Sequence, residues 1–479
     1  MRVLFIYPDI LRTYYYGSYY HGIGYLSAVL KMAGHSVSLI HLVHQAPTRT
    51  ELLQRVFKTK PDLVAISATT NQFLFVKRWL KWLKEADANL LTVCGGIHPT
   101  LNPQEAIATD GLDIICRGEG EEALVELVNR LDQGRSIDDI ANLWINKSDG
   151  SILRNPLRPL TENLDTLPFP DREIFDFERL YYSGKAAVFM ASRGCPYACS
   201  YCCNHALAQL YSSTGKQYVR FRSVDNLIQE IGQALGRFRF IKHIEFDDDI
   251  LPLRQDWFLE FTSKYASQIG LPFTCNMRPN LMNEEVARLL KVAGCSQVRM
   301  GIESGNEYIM SRVLNRSLTR HQILRAFRLC KEAGLPTSSY NMIGLPFENW
   351  HNVFETISLN ADCETGAAQS TVFYPYRNTV IYDICSQNGL LTDKEAPDYL
   401  WESVLNLKSM TQAQIAFLNQ FFPYLVWIFK VLRKIPIRFH RVLRTLIKSV
   451  LNNRLVQYVL LKAYVLTRPI FRILRYQHW

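Results

Sequence analysis

Three cysteines lie within one eight-residue run, Cys195-Pro-Tyr-Ala-Cys199-Ser-Tyr-Cys202. Thiolates are soft ligands, and three on one short loop can hold three irons of a cubane cluster. The fourth iron is then left without a protein ligand, and an open metal position can bind a small molecule directly. Two plainer readings stand beside this one. Three buried structural cysteines are a poor way to build a core from a polar loop. A structural zinc site wants four ligands, and Cys203 or His205 offers the last. Cys203 reads most simply as a neighbour.

The run follows an apolar strand candidate, residues 187–191, and the turn Ser192-Arg193-Gly194. Further strand candidates cover 241–246, 273–276, 297–302 and 339–343, separated by helical patterns at 226–235, 284–292 and 322–333. Asp225 is placed to cap the first of these helices. Strands alternating with amphipathic helices predict βαβ units on a parallel sheet. In parallel α/β barrels the C-terminal strand ends carry the chemistry. Polar residues stand there: Asp247-Asp248-Asp249, Asn276 and Arg278, Glu303, and Asn341. Read alone, the aspartates fit a solvated acidic turn equally, and Arg316 fits a surface helix charge.

An earlier alternating series has strand candidates at 2–7, 37–41, 62–67, 90–94 and 112–116. Helical patterns fall at 22–33, 75–85 and 121–131, with Gly34 in C-cap position. This predicts a doubly wound, Rossmann-like unit, although Tyr7-Pro8-Asp9 replaces the dinucleotide-binding glycine fingerprint. Ser148-Asp149-Gly150-Ser151 marks a hairpin, and Pro156, Pro159, Pro168 and Pro170 mark a linker. The expected division is 1–140, a hairpin and linker over 141–184, a partial (β/α)6 barrel over 185–395, and a helical basic region over 396–479.

CxxxCxxC after the first strand of a repeated β/α pattern resembles the radical S-adenosylmethionine (SAM) superfamily, and motifs between Lys185 and Tyr382 agree. The resemblance implies that Cys195, Cys199 and Cys202 ligate a 4Fe–4S cluster whose open iron chelates SAM. Reductive cleavage then yields a 5′-deoxyadenosyl radical that abstracts hydrogen from a small-molecule substrate, with the electron coming from an external donor. It implies Tyr201 near the adenine and Asp248 towards the methionyl end. Asn276 and Arg278 fall at the open end of the third strand. Glu303, in Gly301-Ile302-Glu303-Ser304-Gly305, falls towards the nucleoside. Arg316 falls at the SAM carboxylate, and Asn341, before Met342-Ile343-Gly344-Leu345-Pro346, towards the ribose.

The order of the two series, joined by Leu164-Asp165-Thr166-Leu167-Pro168-Phe169-Pro170-Asp171-Arg172, resembles the cobalamin-dependent radical SAM group. That resemblance implies cobalamin beside Ser67 and Thr69, against Gly95, Gly96, His98 and Thr100, and near Gly118 and Glu119. The group's histidine-donating members carry Asp-x-His-x-x-Gly after the first strand. Here Pro8-Asp9-Ile10-Leu11-Arg12-Thr13 contains no histidine, which implies cobalamin without protein histidine on cobalt. His98, in a His-Pro pair, reads as a hydrogen-bonded structural residue. A domain that keeps the fold without the cofactor is the alternative. With cobalamin, the implied reaction is C-methylation, one SAM making the radical and another remethylating cobalt. Cobalamin-assisted cyclisation or rearrangement is the rival, and a non-catalytic iron–sulfur or zinc protein at a membrane is a rival from another class.

Composition bounds these readings. The 479 residues exceed one ordinary core, and 48% hydrophobic against 20% charged residues is a globular balance. Eleven unevenly placed cysteines in so long a chain are not a secreted disulfide framework. The opening Met1-Arg2-Val3-Leu4-Phe5-Ile6-Tyr7 reads as a strand rather than a signal segment, so the cytoplasm is the expected compartment. No run of about 20 uninterrupted apolar residues offers a membrane span. The net charge of +10 suggests an anionic partner. From Thr411 onward the chain is helical, basic and free of acidic residues. Phe421 to Phe429 is apolar, interrupted by Pro423 and ended by Lys430; Arg433, Lys434, Arg438, Arg441, Arg444, Lys448 and Arg454 then recur among aliphatic residues. This predicts either a helical cap with its charges in water or an amphipathic membrane-surface element near lipid or isoprenoid substrates. No nucleic-acid recognition fold accompanies the charges.

Overall fold

The computed structural model describes residues 1–10, 17–43, 45–181, 185–394, 402–434, 437–453, 455–456, 458–459 and 462. Leu11, Arg12, Thr13, Arg454 and the expected boundary at 395/396 lie outside the described residues, as do the side chains of Arg438, Arg441 and Lys448. The chain divides into two compact units: 1–197 with 203–244 and 376–378, and 198–202 with 245–375 and 379–479.

In the first unit β1 (Arg2–Asp9), α1 (His21–Met32), β2 (Ser36–Val43), α2 (Arg49–Thr59), β3 (Leu63–Ser67), α3 (Thr70–Ala86) and β4 (Leu91–Gly95) alternate. The short helices α4 (Ile97–Leu101) and α5 (Pro103–Ile107) precede β5 (Ile114–Cys116) and α6 (Glu121–Asp132). The strand order is β2-β1-β3-β4-β5, all parallel. Every residue of β3, and all of β1 after Arg2, is buried, as a parallel sheet covered on both faces requires. Phe73, Val76, Leu80 and Leu83 recur at helical spacing along α3 and pack on Val64 and Ile66. The chain reverses its direction of growth between β1 and β3. Such a switch point opens a crevice at the C-terminal strand ends, where ligands of doubly wound sheets bind.

The expected hairpin is present and joins the sheet. β6 (Leu143–Asn146) pairs antiparallel with β5, and β7 (Ile152–Arg154) with β6, which extends the sheet to seven strands. β5 is only three residues long, and the hairpin covers its otherwise open edge.

The second series begins with α7 (Phe177–Tyr181), β8 (Ala186–Phe189), β9 (Ser192–Arg193), α8 (Cys203–Tyr211), β10 (Arg220–Phe221), α9 (Val224–Arg237) and β11 (His243–Phe246). It continues through α10 (Gln255–Gln268), β12 (Phe273–Met277), α11 (Glu284–Val292), β13 (Cys295–Glu303), α12 (Arg320–Glu332), β14 (Thr337–Ile343), α13 (Trp350–Asp362) and β15 (Ala367–Val372). The sheet order is β15-β14-β13-β12-β11-β8, the half-barrel expected from the sequence, and β12 to β15 pair in parallel. Its sixth strand, Ala-Ala-Gln-Ser-Thr-Val, carries too little branched or aromatic character to stand out in the sequence. Burial alternates along β15, with Ala368, Ser370 and Val372 packed away and Ala367, Gln369 and Thr371 half-buried.

After α14 (Val380–Gln387), α15 (Gln412–Leu432) and α16 (Ile437–Asn452) complete the second unit. Contrary to the expected interruption, α15 runs straight through Pro423. Proline lacks the N–H that would reach the carbonyl four residues back. That carbonyl belongs to Asn419, and the Ser370 hydroxyl of β15 lies within hydrogen-bond reach of both Asn419 O, at 3.1 Å, and Asn419 Oδ1, at 2.8 Å. α15 is long and apolar enough to cross a membrane by length and composition, yet half of its most apolar window is buried within the protein. Ile415, Leu418, Phe422, Leu425 and Phe429 enter the core with Val353, Phe354 and Val372.

Ser370→Ala removes the donor that replaces the missing proline N–H. It is expected to cost about 0.5–1.5 kcal/mol, the net contribution of one hydrogen bond. In a Pro423→Ala background the alanine N–H serves Asn419, so the same substitution should cost much less. Denaturant unfolding of the four proteins checks this, and equal losses in both backgrounds would refute it.

Candidate active site

All three cysteines of the run are free thiols, Cys199 buried and Cys195 and Cys202 half-buried. β9 and β10 form a short antiparallel ribbon that fixes the chain just before Cys195. Beyond it, residues 198–202 are braced by the segment after β13. Ser200 N donates to Leu314 O at 3.0 Å and Ser200 Oγ to Val313 O at 2.5 Å. Asn315 Nδ2 donates to Ala198 O at 2.8 Å, and Ile381 N to Ser200 O at 3.1 Å. Arg278 Nη1 donates to Cys199 Sγ at 3.5 Å. Among the described residues no three His, Cys, Asp or Glu side chains converge as a preformed metal cage. The donor set itself fits an iron–sulfur cluster: three soft ligands on one braced loop, with a fixed positive charge at one of them. His205, the alternative fourth zinc ligand, is paired with Gln209 along α8 at 3.2 Å.

Tyr201, Glu303 and Arg316 meet beside this loop. Arg316 Nη1 donates to Tyr201 Oη at 2.9 Å and Nη2 to Gly301 O at 2.6 Å, and Arg316 stands 3.5 Å from Glu303 Oε1. Arg316 is therefore a buried charge, 6% exposed, rather than a surface one. Glu303 takes a left-handed φ of 66° where the β13–β14 register shifts, a conformation rare outside glycine. A Cβ on Gly301 would lie 2.2 Å from Glu303 Oε1, so only glycine lets the carboxylate fold back towards Arg316. Burial raises the Glu303 carboxyl above its usual range, against the opposing pull of Arg316 and the Tyr201 hydroxyl. Burial, then the Glu303 charge, pushes the Tyr201 phenol well up.

The strand faces sort the other candidates. Asn276 Nδ2 donates to Asp248 O at 3.0 Å, and Tyr340 Oη approaches Asn276 Oδ1 at 3.5 Å. Asn341, the next residue on β14, faces the other way. Its amide is taken up by Asn360 of α13 at 2.7 Å, Gln369 O at 2.9 Å and Ser339 Oγ at 3.1 Å. Asn341 thus lies on the helix-packed side, and Tyr340 on the half-buried side with Asn276. Asp248 is fully buried. Its neighbour Asp247 is exposed, and the Glu245 and Asp249 carboxylates raise its carboxyl while Arg299 lowers it.

In the first unit, the strand ends are tied to one another. His98 N donates to Ala68 O at 3.1 Å, Thr100 Oγ1 to Gly96 O at 2.7 Å, and Gly118 N to Thr100 Oγ1 at 2.9 Å. Gly96 has a φ of 97°, and a Cβ there would lie 2.9 Å from Ala68 O. At Gly95 a Cβ would stand in ordinary contact with Cys116 O at 3.6 Å. Two successive glycines at the end of β4 let a ligand approach the backbone closely. Ser67 bonds Tyr20, and Thr69 caps α3, its N donating to Gln72 Oε1 at 2.8 Å. His98 stacks on Phe73 at 4.0 Å and bonds Thr70, and burial lowers its imidazole to about 4.

Glu119 has a different setting from the one expected. Its carboxylate accepts from Arg193 Nη1 at 2.9 Å, from Arg220 at 2.8 and 3.0 Å, and from Thr161 N at 3.2 Å. Arg193 also reaches Glu121 at 2.6 Å. Arg193, Arg220 and Tyr211, whose hydroxyl accepts from Glu119 N at 3.3 Å, escaped the sequence reading. Their partners lie 72 to 101 residues away, and no local pattern signals such a pairing.

Residues 8–128 match the B12 binding domain family, and residues 190–359 match the radical SAM superfamily. The chain is a radical SAM enzyme with a B12-binding domain. Over 459 residues it is 28% identical to an uncharacterized methyltransferase of Pyrococcus horikoshii, covering 95% of this chain and 93% of that one. It is 27% identical to an anaerobic magnesium-protoporphyrin IX monomethyl ester cyclase of Rubrivivax gelatinosus, covering 78% of this chain and 68% of the relative. A hopanoid C-3 methylase of Methylococcus capsulatus is 25% identical over 59% of this chain and 53% of its own. Among solved structures, the cobalamin-dependent radical enzyme OxsB superposes with a TM-score of 0.69 at 14% identity, covering 98% of this chain and 75% of that one. The radical SAM methyltransferase TsrM of Kitasatospora setae gives 0.65 at 18%, covering 81% and 75%. These two likenesses establish the fold. The radical SAM domain carries with it a 4Fe–4S cluster and SAM, and the B12-binding domain carries cobalamin.

In this radical SAM enzyme Glu119 is an ion-pair hub. Burial alone would raise its carboxyl, but the Arg220 hydrogen bonds and the Arg193 and Arg220 charges outweigh it and hold the group at about 2. Its stabilising effect is complete above the ordinary carboxyl pKa, about 4.3, and is lost as the pH falls towards the lowered value. Glu119→Gln leaves two buried guanidiniums short of counter-charge and should cost about 3–5 kcal/mol at neutral pH. The loss should shrink on acidification. Unfolding curves at several pH values measure both, and a pH-independent loss would contradict the assignment.

Proposed function

We propose that this enzyme cleaves SAM reductively at a cluster on Cys195, Cys199 and Cys202 and methylates an unactivated carbon of a small, apolar substrate in a cobalamin-dependent reaction. The observation that carries the proposal is the braced three-thiol loop with Arg278 on Cys199 and the Tyr201–Arg316–Glu303 group beside it. The methyltransferase and hopanoid C-3 methylase relatives support the methyl transfer, and the hopanoid enzyme supports a lipid-like substrate.

When bound, the cluster supplies the electron that breaks a C–S bond of SAM, and cobalamin supplies the methyl group. The chain's own residues do the rest. Arg278 and Arg316 offer fixed positive charge to the SAM carboxylate. Tyr201, held by Arg316, presents its ring to the adenine, and Glu303 accepts from the nucleoside hydroxyls. Asn276 and Tyr340 orient the ligand on the half-buried face of the sheet. Ser67, Thr69, Gly95, Gly96 and Thr100 shape the crevice for the corrin. Asn341 acts behind β14, fixing the strand through Asn360 rather than touching the ribose.

A cyclisation without methyl transfer is the second reading, favoured by the cyclase of Rubrivivax gelatinosus. Anaerobic reconstitution with iron and sulfide, followed by cobalamin, SAM and a strong reductant, tests both. 5′-Deoxyadenosine is expected from the native protein and none from the Cys195→Ala, Cys199→Ala, Cys202→Ala variant. Retained cobalamin and a methylated product establish methylation. Rearranged substrate with 5′-deoxyadenosine alone establishes the second reading, and failure to form any 4Fe–4S spectrum refutes both.

A further inference from the structure

The C-terminal helices carry their charges and their apolar residues on unexpected sides. Lys430, Arg433 and Arg444 turn inward. Lys430 Nζ donates to Thr365 O at 2.7 Å, and Arg433 Nη1 to Ala361 O at 2.8 Å and Asp362 O at 2.9 Å. These contacts place cations at the C-terminal end of α13, where free carbonyls attract them. Arg444 lies over the Phe429 ring at 4.9 Å and donates to Phe429 O at 3.2 Å, with Asp362 3.6 Å away. This fixes the rotation of α16 about its axis. With Arg444 turned in, Val442, Leu446 and Val450 are turned out, four residues apart in one stripe. Leu446 is 53% exposed. On α15, Tyr424, Trp427 and Val431 form a second outward stripe, with Trp427 63% exposed. Both stripes belong to the second unit.

An outward apolar stripe on one helix is unremarkable, but two on successive helices, one bearing a tryptophan and a tyrosine, mark a surface that is covered in use. The charge decides what covers it. From Thr411 to Trp479 the chain holds twelve lysines and arginines and no aspartate or glutamate. Apart from Lys430, Arg433 and Arg444, nine remain, and a second copy would bring nine like charges against them. A nucleic acid would meet the charges but leave the apolar stripes in water. An anionic bilayer satisfies both: its headgroups pair with the basic residues, and its acyl boundary accepts the aliphatic stripe. Tryptophan and tyrosine prefer the interface between the two.

We propose that the outer faces of α15 and α16 dock the enzyme on the surface of an anionic phospholipid membrane, with Tyr424, Trp427, Val431, Val442, Leu446 and Val450 entering the interfacial layer. α15 does not cross it, since its other side is core. The proposal stands independently of the reaction catalysed.

The test uses the full-length reconstituted protein and two kinds of vesicle, pure phosphatidylcholine and an equal mixture with phosphatidylglycerol. Cosedimentation should favour the mixed vesicles by at least about tenfold and fall steeply with salt. Trp427→Ser and Leu446→Asp, both at exposed positions, should each weaken binding by about tenfold while the iron–sulfur absorption and 5′-deoxyadenosine formation in solution stay unchanged. Light scattering without vesicles reads self-association. Absence of cosedimentation, equal binding of native and variant proteins, or a dimer that both variants dissolve would each overturn the proposal.

Discussion

The hydrogen bonds between residues 198–202 and the segment after β13 are the constraint on which the site depends. A loop carrying three thiols has little reason of its own to hold one shape, and Cys202 N donating to Cys199 O closes a single turn within it. The Leu314 and Val313 carbonyls and the Asn315 side chain supply the missing partners. The next residue, Arg316, reaches Tyr201 and Glu303. One short stretch thus braces the loop and positions the charged group beside it. The left-handed Glu303, a conformation that costs about 1–3 kcal/mol, persists because Gly301 and Arg316 determine it from both sides.

Buried charge is organised the same way in the first unit. Glu119 lies between Arg193 and Arg220, and Glu230 between Arg172, 2.6 Å away, and Arg222. Such pairs gain little net stability, since removing ions from water costs nearly as much as their attraction returns. Their effect is geometric. Arg193 lies two residues before Cys195, so the Glu119 and Glu121 carboxylates help set where the cysteine loop begins. In the folded chain the Glu119 carboxylate holds the chain in place through Arg193 and Arg220.

α15 shows how the same composition supports opposite readings until packing is known. Its apolar content suits a membrane span, a core helix or an interfacial helix. Pro423 reads as a break in the sequence, but the Ser370 hydroxyl meets Asn419 and the helix continues. One side then joins the core, and the other leaves Trp427 in water.

Much of the architecture was legible in the sequence, because it rests on local periodicity. The alternating strands and helices of both series, the hairpin and the three-thiol loop are properties of short segments whose apolar spacing and turn residues act over a few positions. The grouping of Ser67, Gly95, Gly96 and Gly118 at one sheet end also followed, since each ends a strand. What the sequence could not show is which side chain meets which across distance. Asn341 and Tyr340 are neighbours with opposite faces, and a one-residue difference of phase, invisible without the sheet, decides which meets a ligand. Glu119, Arg193 and Arg220 are ordinary charges until folding removes their water. The outward set of Val442 and Leu446 depends on Arg444 finding Phe429 and Asp362. Segment type is set by near neighbours and can be read along the chain, whereas facing, pairing and desolvation arise only when distant segments pack.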